Sequence, residues 1–166
     1  MKHIRIADTT LCQGQYTFKE KIEIARQLEK LGVDVIELPA ITEVRSDTLL
    51  VRTMASFVKN ATLSVAAGVT VESIELAATA LEGAAKPQIR IELPVSPVGM
   101  EYTCHKKADK MLAWIATAVA AAKAKGVAVE FAALDATRAD DGYLQAALNA
   151  AIDAGADTVA VCDNAG

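Results

Sequence analysis

Carboxylates recur where apolar runs begin to break. Asp8, Glu37, Glu92, Glu130, Asp135 and Asp163 all sit inside or just past such runs. Acids gathered at the ends of neighbouring strands hold a divalent cation or move protons. The same acids also cap helices, so Glu37 and Glu130, placed within runs, are stronger candidates than Glu92 and Asp135. Cys12 lies in "IADTTLCQGQY", a run that stops on Asp8 and enters a polar turn. Its thiol is the candidate nucleophile, although no basic or histidine neighbour stands close in sequence to activate it. His3 and His105 are the only histidines, and no HxH, HxxxH or HExxH occurs, so no histidine-based metal site can be assembled from this chain alone. His105 with Lys106-Lys107 reads as a solvated helix start.

The elements that must position these groups announce themselves by repetition. "KLGVDVIEL", "AKGVAVEFA" and "DAGADTVAV" each read helix end, glycine, small residue, apolar strand. Continuous apolar strands of this kind are covered on both faces, as in parallel sheets. "TFKEKIEIARQLEKL" opens with Thr17 and Glu20 in capping-box spacing and places Ile22, Ala25, Leu28 and Leu31 on one face. Further helical spacing runs through 42–58, "VESIELAATALEG", "HKKADKMLAWIATAVAAAKAKG" and "DDGYLQAALNAAIDAG". Strands are expected over 3–8, 33–38, 61–67, 88–95, 127–134 and 158–163. Alternating strands and helices with short links predict a right-handed parallel α/β fold. An open doubly wound sheet is the competing layout, but no Gly-rich phosphate turn is present. In either layout the carboxyl ends of the strands form the ligand-binding mouth.

Bulk properties narrow the classes. The chain has 166 residues, a net charge of −4 and 52% hydrophobic but only 4% aromatic residues. A single domain over 1–166, cored by Ala, Val, Ile and Leu, is expected. No basic stripe exists to neutralise phosphates, which argues against a nucleic-acid partner. Three scattered cysteines without CxxC spacing suggest neither a zinc ribbon nor a disulfide framework. "MKHIRIAD" lacks a signal-peptide core and no apolar run reaches membrane-spanning length, so a cytoplasmic chain with no membrane partner is expected.

"DTTLCQGQ", "LGVDVIELPA", "SPVGMEY", "VEFAALDATRAD" and "VCDNAG" fall in the order and spacing of one family. The chain resembles the acyl-CoA/2-oxo acid condensing barrels: homocitrate synthase, 2-isopropylmalate synthase and citramalate synthase, relatives of HMG-CoA lyase. The resemblance runs from about residue 4 to the last residue. It implies a (β/α)8 TIM-type barrel, of which this chain supplies about six βα units and stays incomplete at its C-terminus. It also implies a divalent metal (Mg, Mn or Zn) that polarises a ketone, with acetyl-CoA and a 2-oxo acid as substrates. An unclosed barrel is further expected to self-associate or to pair with a chain that completes it.

Departures from the family pattern fall on its reaction centre. The family's first loop reads DTTLRDGEQ, where Arg supports the ketone oxygen and Asp binds metal; here Cys12 and Gln13 stand instead. Gln13 is the candidate metal ligand, offering one neutral oxygen in place of a carboxylate. A substrate-facing His of the family is Gly99, its strand-five Ser is Ala132, and a carboxylate-binding Thr is Asn164. The family's HxH belongs to a later strand, beyond residue 166. Glu37, Ser96-Pro97, Met100-Glu101-Tyr102 and Asp135 to Arg138 are kept. The expected site therefore has Glu37, Cys12 and Glu130 as catalytic groups, with Gly99, Ala132 and Asn164 facing substrate. The expected activity is condensation of acetyl-CoA with a 2-oxo acid; the alternative is a non-catalytic, degenerate barrel subunit or regulatory partner.

Overall fold

The structure is a computed structural model describing residues 4–164. Six strands alternate with helices: β1 (Ala7–Asp8), α1 (Thr10–Gln13), α2 (Phe18–Leu31), β2 (Val35–Leu38), α3 (Val44–Phe57), β3 (Thr62–Ala67), α4 (Val71–Ala80) and β4 (Pro87–Pro94). They continue with α5 (Ala108–Lys123), β5 (Ala128–Leu134), α6 (Asp141–Asp153) and β6 (Thr158–Val161). All strand pairs are parallel and their spatial order is their sequence order, β1 to β6. That order excludes the doubly wound layout, which must reverse, and gives the curled arc of a partial (β/α) barrel.

Local chemistry accounts for the elements. Thr17 Oγ1 accepts from the Glu20 amide at 3.4 Å while Glu20 Oε2 accepts from the Thr17 amide at 2.7 Å, completing the expected box. Gly32 ends α2 in the left-handed region at φ +82°, where its amide reaches the Leu28 carbonyl. Gly126 and Gly155 repeat the device. Ala25 and Leu28 are buried as expected, but Leu31 is 78% exposed, because it sits on the last turn, beyond the sheet surface that Leu28 covers. The first strand is shorter than expected: only Ala7 and Asp8 are extended partners of β2, with the Ile6 carbonyl accepting from the Asp34 and Val35 amides. Residue 3 of that expected strand lies outside the described residues.

Every residue of β3 is buried, and Ile89, Ile91, Val129 and Phe131 are fully so, packed under α4, α5 and α6. Side chains alternate across a strand, so the remaining positions face the concave side of the arc. The register sorts these into three layers. Glu37 lies level with Ser64 and Gln88; Ala66 with Arg90, Glu130 and Thr158; Glu92 with Ala132 and Ala160. Layered inward side chains are the way such barrels fill their centre. Here the fill is polar.

Candidate active site

Arg90 is the hub of the concave face. It stands mid-strand in "QIRIELPV", is 6% exposed, and its neighbours Ile89 and Ile91 point to the helix side. Its Nη1 donates to Glu37 Oε2, and its Nε donates to Glu92 Oε1 at 2.7 Å. Its Nη2 lies 4.0 Å from Cys12 Sγ. One guanidinium thus ties the first loop, β2 and β4 together. A buried charge is tolerated only when paired in this way.

Glu130 lies beside Arg90 in register and is 9% exposed. Its Oε2 accepts from Gln88 Nε2 at 2.6 Å, and the same amide reaches Ser64 Oγ at 3.4 Å. Burial pushes the Glu37 carboxyl above its ordinary range; Arg90 pulls it back, and Glu130 and Glu92 push it up again. The Cys12 thiol is also raised, first by burial, with Arg90 opposing. A raised thiol is a poor nucleophile near neutrality, so the Cys12 environment favours a packed thiol over a thiolate. Asp8 Oδ1 accepts from the Thr10 amide at 3.0 Å at the start of α1, and its charge also acts on Glu37.

A second network closes the rim. Asp135 adopts a left-handed backbone at φ +56° just after β5. Its carboxylate accepts from Arg138 Nε and Nη2 at 2.6 and 2.7 Å and from Ser96 Oγ. The Asp135 amide donates to Asn164 Oδ1 at 2.7 Å, and Ser96 Oγ accepts from the Gly99 amide at 3.1 Å. The loops after β4, β5 and β6 are thereby joined. Arg138 and Ser96 hold the Asp135 carboxyl below its ordinary range.

The expected site residues divide into groups. Cys12 and Glu37 meet at Arg90, and Glu130 lies in the same layer. Ala132 is buried in the layer above, between Glu92 and Ala160. Gly99 and Asn164 belong to the rim network. A Cβ at Gly99 would stand 2.5 Å from Pro94 Cβ, so the loop has closed over the space a side chain there would need. Gln13 is exposed on α1. Among the described residues no three His, Cys, Asp or Glu side chains are arranged to hold a metal ion. One neutral amide oxygen is a weak start for a hard cation, so the donor set here does not fit the family's metal. Arg90, Gln88 and Ser64 were not expected. The signal for them was present: hydrophilic residues at alternate positions of an otherwise apolar parallel strand.

The fold and this polar face define a parallel β/α chain of the barrel class, with its candidate chemistry on the concave side and at the strands' carboxyl ends. The HMGL-like family model matches residues 3–166, and the chain belongs to that family. It is 39% identical over 172 residues to 2-isopropylmalate synthase of Listeria monocytogenes serotype 4a, covering 100% of this chain and 34% of that protein. It is 37% identical to 2-isopropylmalate synthase of Heliobacterium modesticaldum, covering 99% and 33%. The chain spans about a third of the length of the curated relatives it matches. Among solved structures, methylornithine synthase superposes with a TM-score of 0.65 at 15% identity, over 88% of this chain and 43% of that one. For 2,3-dimethylmalate lyase the values are 0.60 and 17%, over 94% and 56%. These two likenesses concern the fold alone.

Proposed function

We propose that this chain forms part of an acyltransferase centre that condenses acetyl-CoA with a 2-oxo acid. Glu37 is its proton-handling group. The observation that carries this reading is Glu37 itself. It is the family-matching carboxylate, set on the concave face by Arg90, with burial raising it toward the range where a general base works. The methyl proton of the thioester passes to the Glu37 carboxylate, the resulting carbon bonds to the ketone carbon, and the alkoxide formed takes a proton. Water then adds to the thioester carbonyl and the C–S bond breaks, leaving a carboxylate and the free CoA thiol. Arg90 keeps the acceptor oxygen of Glu37 in place, and Glu130 is the second carboxylate within the same layers. No step here is routed through a metal. The test is release of free thiol from acetyl-CoA with a panel of 2-oxo acids, with and without Mg²⁺, Mn²⁺ or Zn²⁺. Oxo-acid-dependent release that is lost in Glu37→Gln supports the reading; silence across the panel from folded protein ends it.

A second reading has its own support. Asn164 Oδ1 is committed to the Asp135 amide, Pro94 fills the room beside Gly99, and Arg90 is already matched by two carboxylates. A site satisfied by its own residues suits a non-catalytic subunit. Calorimetry with divalent metals separates the two, since stoichiometric tight binding contradicts the subunit reading. Either role leaves β1 and β6 as the edges of the sheet, with Ile6 62% and Val161 58% exposed. Unpaired edges recruit strands. We propose that they pair with a chain segment or a second copy that completes the barrel; a stable monomer in light scattering would contradict this.

A further inference from the structure

The strands begin at the end of the arc opposite the rim, and a second polar surface stands there. A groove of about 450 Å³ runs across the starts of β3, β4, β5 and β6, with Arg5, Thr62, Lys86, Gln88, Asp157 and Thr158 in its walls. That volume lies within the range of small-molecule sites. Arg5 precedes β1, and its Nη2 crosses to donate to Thr62 Oγ1 at 3.2 Å, on the first residue of β3. Lys86 Nζ donates to the Asn60 carbonyl at 2.6 Å and keeps two further N–H groups for other acceptors. Among the described residues neither Arg5 nor Lys86 forms an ion pair. Asp157 is the one carboxylate among the described lining residues, and its charge is answered from outside the groove. Lys123 Nζ reaches both its oxygens at 2.7 Å, and the Val129 amide donates to it at 2.8 Å. Asp34, at the start of β2, accepts from the Ile6 amide and does not line the groove. The lining thus carries net positive charge in a chain whose net charge is −4. The wall behind the cations is buried and polar, with Gln88 4% and Thr62 8% exposed. Gln88 Nε2 is spent on Glu130 and Ser64, and Glu130 itself does not line the groove.

We infer that this groove binds a small oxyanion, the phosphate or carboxylate group of a small molecule, between Arg5 and Lys86. A guanidinium offers a planar fork and an ammonium a point charge, and together they suit the several oxygens of such a group. Arg5 spends one of its five N–H donors on Thr62 and has the others for the anion. The exposed Thr158 hydroxyl adds a donor from the start of β6. A bound oxyanion therefore ties the residues before β1 and β4 to the first residue of β6. The site lies at the opposite end of the strands from Gly99, Asp135 and Asn164, and it does not depend on the condensing reading.

The experiment titrates folded protein with sodium phosphate and, separately, with sodium succinate, against sodium chloride at matched ionic strength. Heat is followed by calorimetry and backbone amide signals by NMR. Saturable binding of one or both anions is expected, weakening as salt is raised. The amide shifts should gather at Gln88, Gly126, Ala128 and Thr158 and spare Gly99 and Asp135. Arg5→Gln should weaken binding by about tenfold, since it removes the charged fork. Lys86→Gln should weaken it by about two- to fivefold. Both side chains are exposed, so the unliganded variants should melt as the parent does. Lys107→Gln, beside the loop after β4 at the other end of the strands, should leave binding unchanged. Phosphate binding alone assigns a phosphate-bearing ligand, succinate binding alone a carboxylate, and binding of both the shared oxyanion chemistry. No saturable binding of either anion, shifts centred on the rim, or a loss in Lys107→Gln as large as that in Arg5→Gln would each overturn the assignment. The readout needs no turnover, so silence in the thiol-release assay leaves it intact.

Discussion

Two arginines of the candidate site hold carboxylates, and they do it in opposite settings. The Arg90 side chain is 7% exposed and reaches across elements to Glu37 and Glu92, which are far apart in the case of Glu37 and two residues away in the case of Glu92. The Arg138 side chain is 57% exposed and grips Asp135, three residues earlier in the same loop. Contact geometry is similar; the cost of losing the cation is not. Without Arg90, Glu37 loses its paired cation on the concave face, whereas Asp135, although its side chain is only 11% exposed, keeps its bond from Ser96 Oγ when the exposed Arg138 is lost. The concave face is therefore held by charge pairing, and the rim by a local turn with a polar latch.

The largest expected effect breaks the first of these. Arg90→Leu leaves Glu37 and Glu92 without their cation and should destabilise the fold by about 3–4 kcal/mol, kept from the top of the usual range because the Glu92 side chain is 34% exposed. Urea unfolding followed by circular dichroism measures it. Arg138→Leu should lower stability clearly less under the same conditions. Equal losses would erase the distinction drawn between the two sites.

At the rim, steric fit is a sharper probe than charge. Gly99→His, which restores the residue type of the resembling family, must push its Cβ against Pro94 and should cost about 1–3 kcal/mol. Pairing it with Pro94→Ala should recover most of that loss. Unchanged stability in the single variant would mean that the loop after β4 moves aside freely and the rim is not closed as described.

Ser96→Ala tests the latch itself. Ser96 is fully buried, donates to Asp135 and accepts from Gly99, so its removal takes a partner from the part-buried Gly99 amide and a donor from Asp135. A loss of about 1–2 kcal/mol is expected in the same unfolding assay. A neutral result would assign the joining of the three loops to Arg138 and Asn164 alone.

Much of this organisation was legible because it is local. The capping box at Thr17 and Glu20, the left-handed glycines and the apolar strands are each set by a few adjacent residues, and all form, with β1, β2 and β6 shorter than read. The family was legible for a different reason, as several blocks had to agree in order. What escaped was the hub. Arg90 stands as a lone basic residue in an apolar run, and its meaning lies in Glu37, 53 residues away, which no local pattern points to. Leu31 shows the same limit, since helical spacing placed it on the buried face while the extent of the sheet beneath left it exposed. Gln13 and Cys12 were located by motif, but whether they face a common cavity depended on how α1 turns, which no short-range signal encodes.

Acid separates the two regions without any cavity or clash. Burial raises Glu37 above its ordinary value of 4.5, so just above that pH the folded chain holds more protons than the unfolded one and stability falls as pH rises. Arg138 and Ser96 lower Asp135 below its ordinary 3.8, so just below that pH the unfolded chain holds more protons and stability is lost as pH falls. The signs are opposite because one carboxylate is governed by desolvation and the other by its donors. Relative to the unaltered chain, Glu37→Gln should flatten the decline above 4.5 and Asp135→Asn the loss below 3.8. Stability measured across that range for the three proteins reads both effects as differences, in which the remaining carboxylates cancel. Should Glu37→Gln alter stability by the same amount at every pH, its carboxyl titrates alike in the folded and unfolded chain, and the contrast with Asp135 loses its electrostatic basis.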